Sequence, residues 1–323
     1  MLARIPCAKG NRVPIPLRWQ WKIDRVKDAI TGFFRSNPEN ARPRMCPSCG
    51  TLVGTTATKC HQCGANVRFG MAAASRSLGR MLPTNAPVTY CLLSICCLMY
   101  GISLLYSLRS GNKLMPEGGG LTAIFNIGGI DGNTLDILGA TRPMWHLFGD
   151  GQWWRLITAV FLHGSMLHIV FNMYVIMDIG PMVEELFGSA RYLFLYIATG
   201  LFGYVVSSFF GHASVGASGA LLGLIGLLLA STTRSSSASS QSLRSNLIKW
   251  IVYIAIMGFM FSGIDNYAHF GGLAAGFVLG KLFVDRPPQG QSETRVANIL
   301  GWGTAILVIG CFALMMQFFL QNR

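Results

Sequence analysis

Residues 212–223 read HASVGASGALLG. One serine, Ser218, stands among glycines and alanines, and an apolar run follows directly. That run, 217–232, holds 16 apolar or small residues before Thr233 and Arg234. Crossing ~30 Å of hydrocarbon takes roughly 20 helical residues. A helix this short starts beneath the membrane surface, with Ser218 in its first turn. A hydroxyl there is either a helix cap or a reactive group, and the rest of the chain has to decide between them.

Six further apolar runs fall at 87–106, 165–183, 191–210, 247–263, 266–284 and 297–320. The chain is 51% hydrophobic and 12% charged, against roughly 25% charged residues in soluble domains. These features specify an all-α integral membrane protein of seven spans. The N-terminus is basic and no short apolar core with a cleavage site follows it, so no cleavable signal peptide is expected.

The formal charge of +13 is concentrated near the N-terminus, where residues 1–80 carry 14 Lys or Arg against 3 Asp or Glu. Placed before the first apolar run, such a region marks the cytoplasmic side rather than a nucleic-acid partner. Arg234, Arg244 and Lys249 in the loop at 233–249, and Arg286 and Arg295 in the loop at 285–296, put those loops on the same side. The connection at 107–164 then lies outside. The expected location is the cell membrane, multi-pass, with a cytoplasmic N-terminus.

Under this topology the second, fourth and sixth spans run inward, and each carries polar residues near its start. His168 and Asn172 are one turn apart in the second, Ser218 opens the fourth, and His269 lies in DNYAHFGGLAAG (265–276) of the sixth. At 1.5 Å per residue these side chains share one level to within ~5 Å. Polar groups in lipid are costly unless they meet one another or water, which predicts a pocket open to the outer side. Gly272, Gly276 and Gly280 in the sixth span, and Gly219 and Gly223 in the fourth, repeat every four residues. Such faces allow close backbone approach, bringing Ser218 within reach of His269. A transporter would call for acidic residues in the membrane interior, and only Asp178, near the inner end of the second span, qualifies.

Chemically, the set reads as a Ser218–His269 dyad. His269 takes the hydroxyl proton and returns it to the leaving amine. Asp265, one turn before His269 and nearer the surface, is a doubtful third member. The oxyanion site is assigned to the Ser218 backbone N–H at its helix N-terminus, with side-chain donors from His168 and Asn172.

Two C-x-x-C-G pairs lie nearer the N-terminus, CPSCG at 46–50 and CHQCG at 60–64. Cys46, Cys49, Cys60 and Cys63 supply four thiolates, a set suited to structural, tetrahedral Zn2+. Disulfides are the alternative, but they are rare in the reducing cytosol where the basic flank puts this segment. The ribbon is a candidate docking module for a cytoplasmic protein partner. Residues 19–33 carry Trp19, Ile23, Val26, Ile30 and Phe33 on one helical stripe, fit either to lie on an anionic membrane surface or to form part of a disordered tail.

GASG around Ser218, AHFGGLAAG around His269, HIVFN at 168–172 and WWRLITAVFLHGSMLH at 153–168 together resemble the rhomboid intramembrane serine proteases. Glu184 and Gly188 match that family's exit from the second span. The resemblance covers about residues 86–284. It implies a six-helix core that cleaves transmembrane segments of other membrane proteins near their outer end, without a catalytic cofactor. A non-catalytic, rhomboid-like binding factor is the alternative, although such relatives usually lack the serine or the histidine. Many members carry an aromatic ring four residues after the nucleophile, where this chain has Leu222. The external loop carries its own insert, IGGIDGN at 127–133. The expected organisation is a basic tail (1–44), a zinc ribbon (45–68), a linker (69–86), the six-helix core (87–284), and a linker with a seventh span (285–323). The partners expected are membrane-protein substrates and the bilayer. Met257, Phe259, Met260 and Phe261 of the fifth span offer a soft lateral gate.

Overall fold

The computed structural model describes residues 44–46, 51–54, 57–64, 86–112, 127–261 and 263–322. The stripe at 19–33 and the ligand candidate Cys49 lie outside them. Two short strands, β1 (Arg44–Met45) and β2 (Leu52–Val53), pair with each other, and all other regular structure is helical. Seven long helices follow: α1 (Pro87–Arg109), α5 (Met166–Phe187), α6 (Ser189–Phe209), α7 (Ser218–Thr232), α8 (Ala238–Met260), α9 (Asn266–Leu282) and α10 (Gly290–Asn322). Between α1 and α5 the described residues form three short ones, α2 (Gly132–Ile137), α3 (Met144–Gly149) and α4 (Arg155–Thr158), and a 3-10 turn at Ala159–Phe161. Among the described residues, five helices are long and apolar enough to cross a membrane, namely α1, α5, α6, α8 and α10. The chain is a multi-pass, all-α membrane protein.

Helix α7 is the hub. All of its residues except Ser218, Leu229 and Ser231 are buried, as suits a helix that is apolar all round. Its partner is α9, and glycine sets their separation. A Cβ on Gly219 would meet the Ala268 carbonyl oxygen at 3.2 Å, and one on Gly272 or Gly276 would collide with the carbonyl of Gly219 or Gly223. On the other side of α9, a Cβ at Gly203 of α6 would come within 2.6 Å of the same Ala268 oxygen. The four-residue glycine spacing thus does what it implies: the helices bearing Ser218 and His269 touch backbone to backbone.

Glu184 closes the opposite end of the bundle. Its carboxylate, 3% exposed, accepts the Val88 and Thr89 N–H groups at 3.1 and 2.9 Å, and the Thr89 and Ser189 hydroxyls at 2.9 and 2.7 Å. The first amides of α1 have no intrahelical acceptor, and this anion caps them from another helix. Gly188, at φ +80°, makes the turn from α5 into α6 that brings Ser189 to it.

Two expectations shift. The serine-rich stretch expected in the loop at 233–249 is helical from Ala238, because the Ser237 hydroxyl caps the Ser240 N–H at 3.2 Å. The last helix starts at Gly290 rather than 297, with Glu293 in its first turn. The described part of the external connection, residues 127–164, is folded, and the insert at 127–133 is part of it. Asp131 caps α2 through the Thr134 N–H at 2.8 Å and accepts the Ser107 hydroxyl at the end of α1.

Candidate active site

Ser218 is the first residue of α7, and His269 lies in the first turn of α9. Ser218 Oγ is 2.8 Å from His269 Nε2. His269 is buried and Ser218 half-buried, so the hydroxyl sits at the rim with the imidazole beneath it. Asp265 does not complete a triad. Its Oδ1 accepts the Ala268 N–H at 3.0 Å and its Oδ2 accepts the Ser207 hydroxyl at 2.5 Å, so this carboxylate is the N-cap of α9. His269 Nδ1 has no hydrogen-bond partner among the described residues.

His168 enters from α5. Its Nδ1 accepts the Gly164 N–H at 3.4 Å, which leaves Nε2 to carry the proton in the neutral ring. That Nε2 faces Ser218 across Gly216, where a Cβ would lie 2.6 Å from Nε2 and 3.7 Å from Ser218 Oγ. Gly216 has φ +129°, its N–H donates to the Ala159 carbonyl at 2.9 Å, and its carbonyl accepts the Tyr204 hydroxyl at 2.6 Å. Asn172 is buried one turn below, with Nδ2 donating to the His168 carbonyl at 2.7 Å. The unpaired backbone amides of the first turn of α7, the Nε2–H of His168 and the adjacent Asn172 amide give one small region several donors and no fixed anion.

The segment before Ser218 is tied to the external structure. Thr141 N donates to the Ser214 carbonyl at 3.0 Å, and Ser214 N donates to Thr141 Oγ1 at 2.8 Å. Arg155, fully buried, holds that structure together. Its Nη1 donates to the Asp136 and Ala140 carbonyls at 2.6 and 3.0 Å, and its Nε donates to Gln152 Oε1 at 2.6 Å.

A rhomboid domain family model matches residues 150–286. The chain is 37% identical over 153 residues to the rhomboid protease GluP of Bacillus subtilis (strain 168), covering 47% of this chain and 30% of that protein. It is 34% identical over 140 residues to YdcA of the same organism, also named as a rhomboid, covering 42% of this chain and 70% of that protein. The chain belongs to the rhomboid family. It is also 40% identical over 168 residues to RHOMBOID-like protein 5 of Arabidopsis thaliana, covering 50% of this chain and 53% of that protein. Against GluP and the plant protein, then, the chain spans about half their length or less. Among rhomboids, relatives are named as proteases.

Sequence reasoning placed Ser218, His269, His168 and Asn172 near one level, and the fold brings the first three together with Asn172 one turn below. It missed Tyr204, which fixes the Gly216 carbonyl. It also missed His163, a fully buried imidazole with its ring centre 5.1 Å from that of His168. Burial pushes the His163 imidazole well below its ordinary pKa, so the ring is a neutral neighbour of His168. The five-residue step from His163 to His168 inside FLHGSMLH was the available signal.

Of the four cysteines, Cys46, Cys60 and Cys63 converge, with their sulfurs within 4.8 Å of one another and the Cys46–Cys63 pair at 3.5 Å. Thiolates around a tetrahedral zinc at ~2.3 Å stand roughly 3.8 Å apart, so the cluster fits that ion. The Gly64 N–H returns to the Cys60 carbonyl at 2.9 Å, which makes the tight turn a knuckle needs.

Proposed function

We propose that this chain is an intramembrane serine endopeptidase that hydrolyses peptide bonds in transmembrane segments of other membrane proteins, near their outer end. The observation that carries it is the 2.8 Å contact between Ser218 Oγ and His269 Nε2, made between two helices with no carboxylate on the imidazole. Neutral His269 accepts the Ser218 proton as Oγ attacks the scissile carbonyl. The tetrahedral oxyanion forms beside the α7 amides and His168 Nε2–H, with Asn172 as a further donor. His269 then protonates the leaving amine, and water hydrolyses the acyl-serine with His269 again acting as base.

A helical peptide bond is shielded by its own hydrogen bonds, so substrate has to unwind before attack. Helix-weakening residues near the cleavage point therefore favour turnover. Lateral access past α8 fits its packing, since Leu247 and Gly258 are its only buried residues. The N-terminal side is cytoplasmic and the site opens outward, following the loop charges. Cys46, Cys49, Cys60 and Cys63 hold a structural Zn2+, which would crosslink the ribbon and take no part in hydrolysis; the ribbon serves to dock a cytoplasmic protein.

The test is cleavage of a transmembrane reporter by the purified chain in vesicles, with labelling by a fluorophosphonate. Ser218→Ala abolishes both, and His269→Ala nearly so. Undiminished cleavage by Ser218→Ala rejects the assignment. Zinc stoichiometry of the reduced protein tests the ribbon, and a value near zero removes it.

A further inference from the structure

Helix α10 lies beyond the 150–286 stretch matched by the family model, yet its aromatic side chains reach the structure around Ser218 by two routes. In the first, the Phe312 ring packs on Phe161 with centres 5.3 Å apart. Phe161 ends the 3-10 turn that starts at Ala159, and the Ala159 carbonyl accepts the Gly216 N–H at 2.9 Å and the Tyr204 hydroxyl at 3.4 Å. In the second, the Phe318 ring lies 5.8 Å from Trp154 and 4.9 Å from the Arg155 guanidinium carbon, which is equally close to Trp154. Arg155 binds the Ala140 carbonyl, and the next residue, Thr141, donates its N–H to the Ser214 carbonyl and accepts the Ser214 N–H through Oγ1. Both routes end within four residues of the serine, at Ser214 and Gly216.

The helix is also fixed at its other end. Glu293 receives both terminal nitrogens of Arg286 at 2.8 and 2.9 Å and lies 3.5 Å from Arg191 at the start of α6. A Cβ on Gly301 would come within 3.0 Å of the Ala190 backbone, so α10 lies flush against α6 there. Anchored in this way, α10 presents Phe312 and Phe318 from a rigid base. Cation–π contact and ring packing on desolvated groups are directional, so these rings constrain where Arg155 and Phe161 sit.

We propose that α10 is a strut for the active site, and that Phe312 and Phe318 are positioning residues that hold the 214–216 segment so that Ser218 and the donors around it keep their geometry. The proposal rests on the Ser218 reading above. Misplacement on the scale of an ångström can lower a rate about 10²-fold without touching substrate binding.

The experiment uses the full chain in vesicles and measures kcat, KM, the labelling rate of Ser218 by a fluorophosphonate, and thermal stability. Phe312→Ala and Phe318→Ala are each expected to slow labelling and kcat at least fivefold, with KM within twofold. Phe312→Tyr, which keeps the ring, restores both rates. Ile306→Ala, on the exposed face of α10, leaves them unchanged. Glu184→Gln, which loosens the cap of α1 away from α10, serves as the stability control. Where Phe312→Ala fails to assemble, Phe312→Leu is measured in its place with the same expectation. The proposal is overturned if labelling and kcat of both ring variants stay within twofold of wild type. It is equally overturned if Glu184→Gln slows labelling as much at the same loss of stability. A wild-type chain that is not labelled at Ser218 refutes the protease reading instead, which separates the two failures.

Discussion

Adding one methyl group at Gly216 should disable the site while leaving the fold standing. The added carbon would lie 2.6 Å from His168 Nε2 and 2.7 Å from its Cε1, whereas ordinary contact begins at 3.4 Å. The His168 ring must therefore retreat by about 0.8 Å, and the hydrogen bond that tethers it, from Gly164, is a long one at 3.4 Å. Such a retreat takes Nε2–H away from the developing oxyanion, and losing one donor of this kind typically lowers kcat by about 10²–10³, or roughly 3–4 kcal/mol of transition-state stabilisation. The backbone adds a second penalty. At φ +129° an L side chain is strained by about 1–3 kcal/mol, which appears as lost stability rather than lost turnover. Gly216→Ala is thus expected to show kcat reduced about 10²-fold with KM little changed, alongside a moderate drop in thermal stability. Reporter cleavage in vesicles gives the kinetic split, and fluorophosphonate labelling reads the serine without substrate docking. Cleavage and labelling within threefold of wild type would refute the placement of His168 beside the oxyanion.

Tyr204→Phe leaves the buried Gly216 carbonyl without its 2.6 Å donor, a loss of about 1–3 kcal/mol that thermal unfolding should register, accompanied by slower Ser218 labelling. Glu184→Gln turns an amide N–H₂ toward two of the four donors, and a destabilisation of about 2–4 kcal/mol, with α1 the first helix to exchange its amide hydrogens, is the expected result. Asp136 supplies a pH dependence. Burial opposes its ionisation, but the hydrogen bond from Arg142 and the charges of Arg155 and Arg142 outweigh burial, so its carboxyl is held below the ordinary 3.8. A depressed carboxyl stabilises the fold above its unfolded pKa and loses that contribution as the pH falls through its folded one. Melting temperature should therefore decline as the pH drops below about 3.8, and Asp136→Asn should flatten that decline while lowering stability at neutral pH.

Local pattern carried much of this structure. Ser218, His269 and His168 were legible because membrane helices make depth a function of residue count, and because Gly219, Gly223, Gly272 and Gly276 announce which helices touch. What stayed hidden depended on partners far away in the chain. Glu184 looked like a helix-exit residue, and nothing near it signalled that its acceptors serve Val88 and Thr89, more than 90 residues earlier. Arg155 sat in a recognisable segment, but its burial depends on carbonyls at 136 and 140 and a ring at 318. Asp265 is instructive in reverse. Its spacing from His269 suited either a triad or a cap, and only the Ala268 amide and Ser207 hydroxyl decided for the cap. The serine-rich stretch read as a loop from composition, while the Ser237 hydroxyl on the Ser240 amide starts α8 there.

The contact of α7 with α9 has a consequence for how such a molecule can diversify. Where carbonyls and α-carbons abut, no rotamer can absorb a change, so spontaneous variation at Gly272 or Gly276 is met by separation of the helices rather than by repacking. The distance between nucleophile and base is therefore inherited almost unaltered, whatever happens elsewhere. Adaptation to new targets is channelled into α8, where only Leu247 and Gly258 are fully buried. Selection for altered specificity should accumulate its substitutions there and leave the glycine seam untouched.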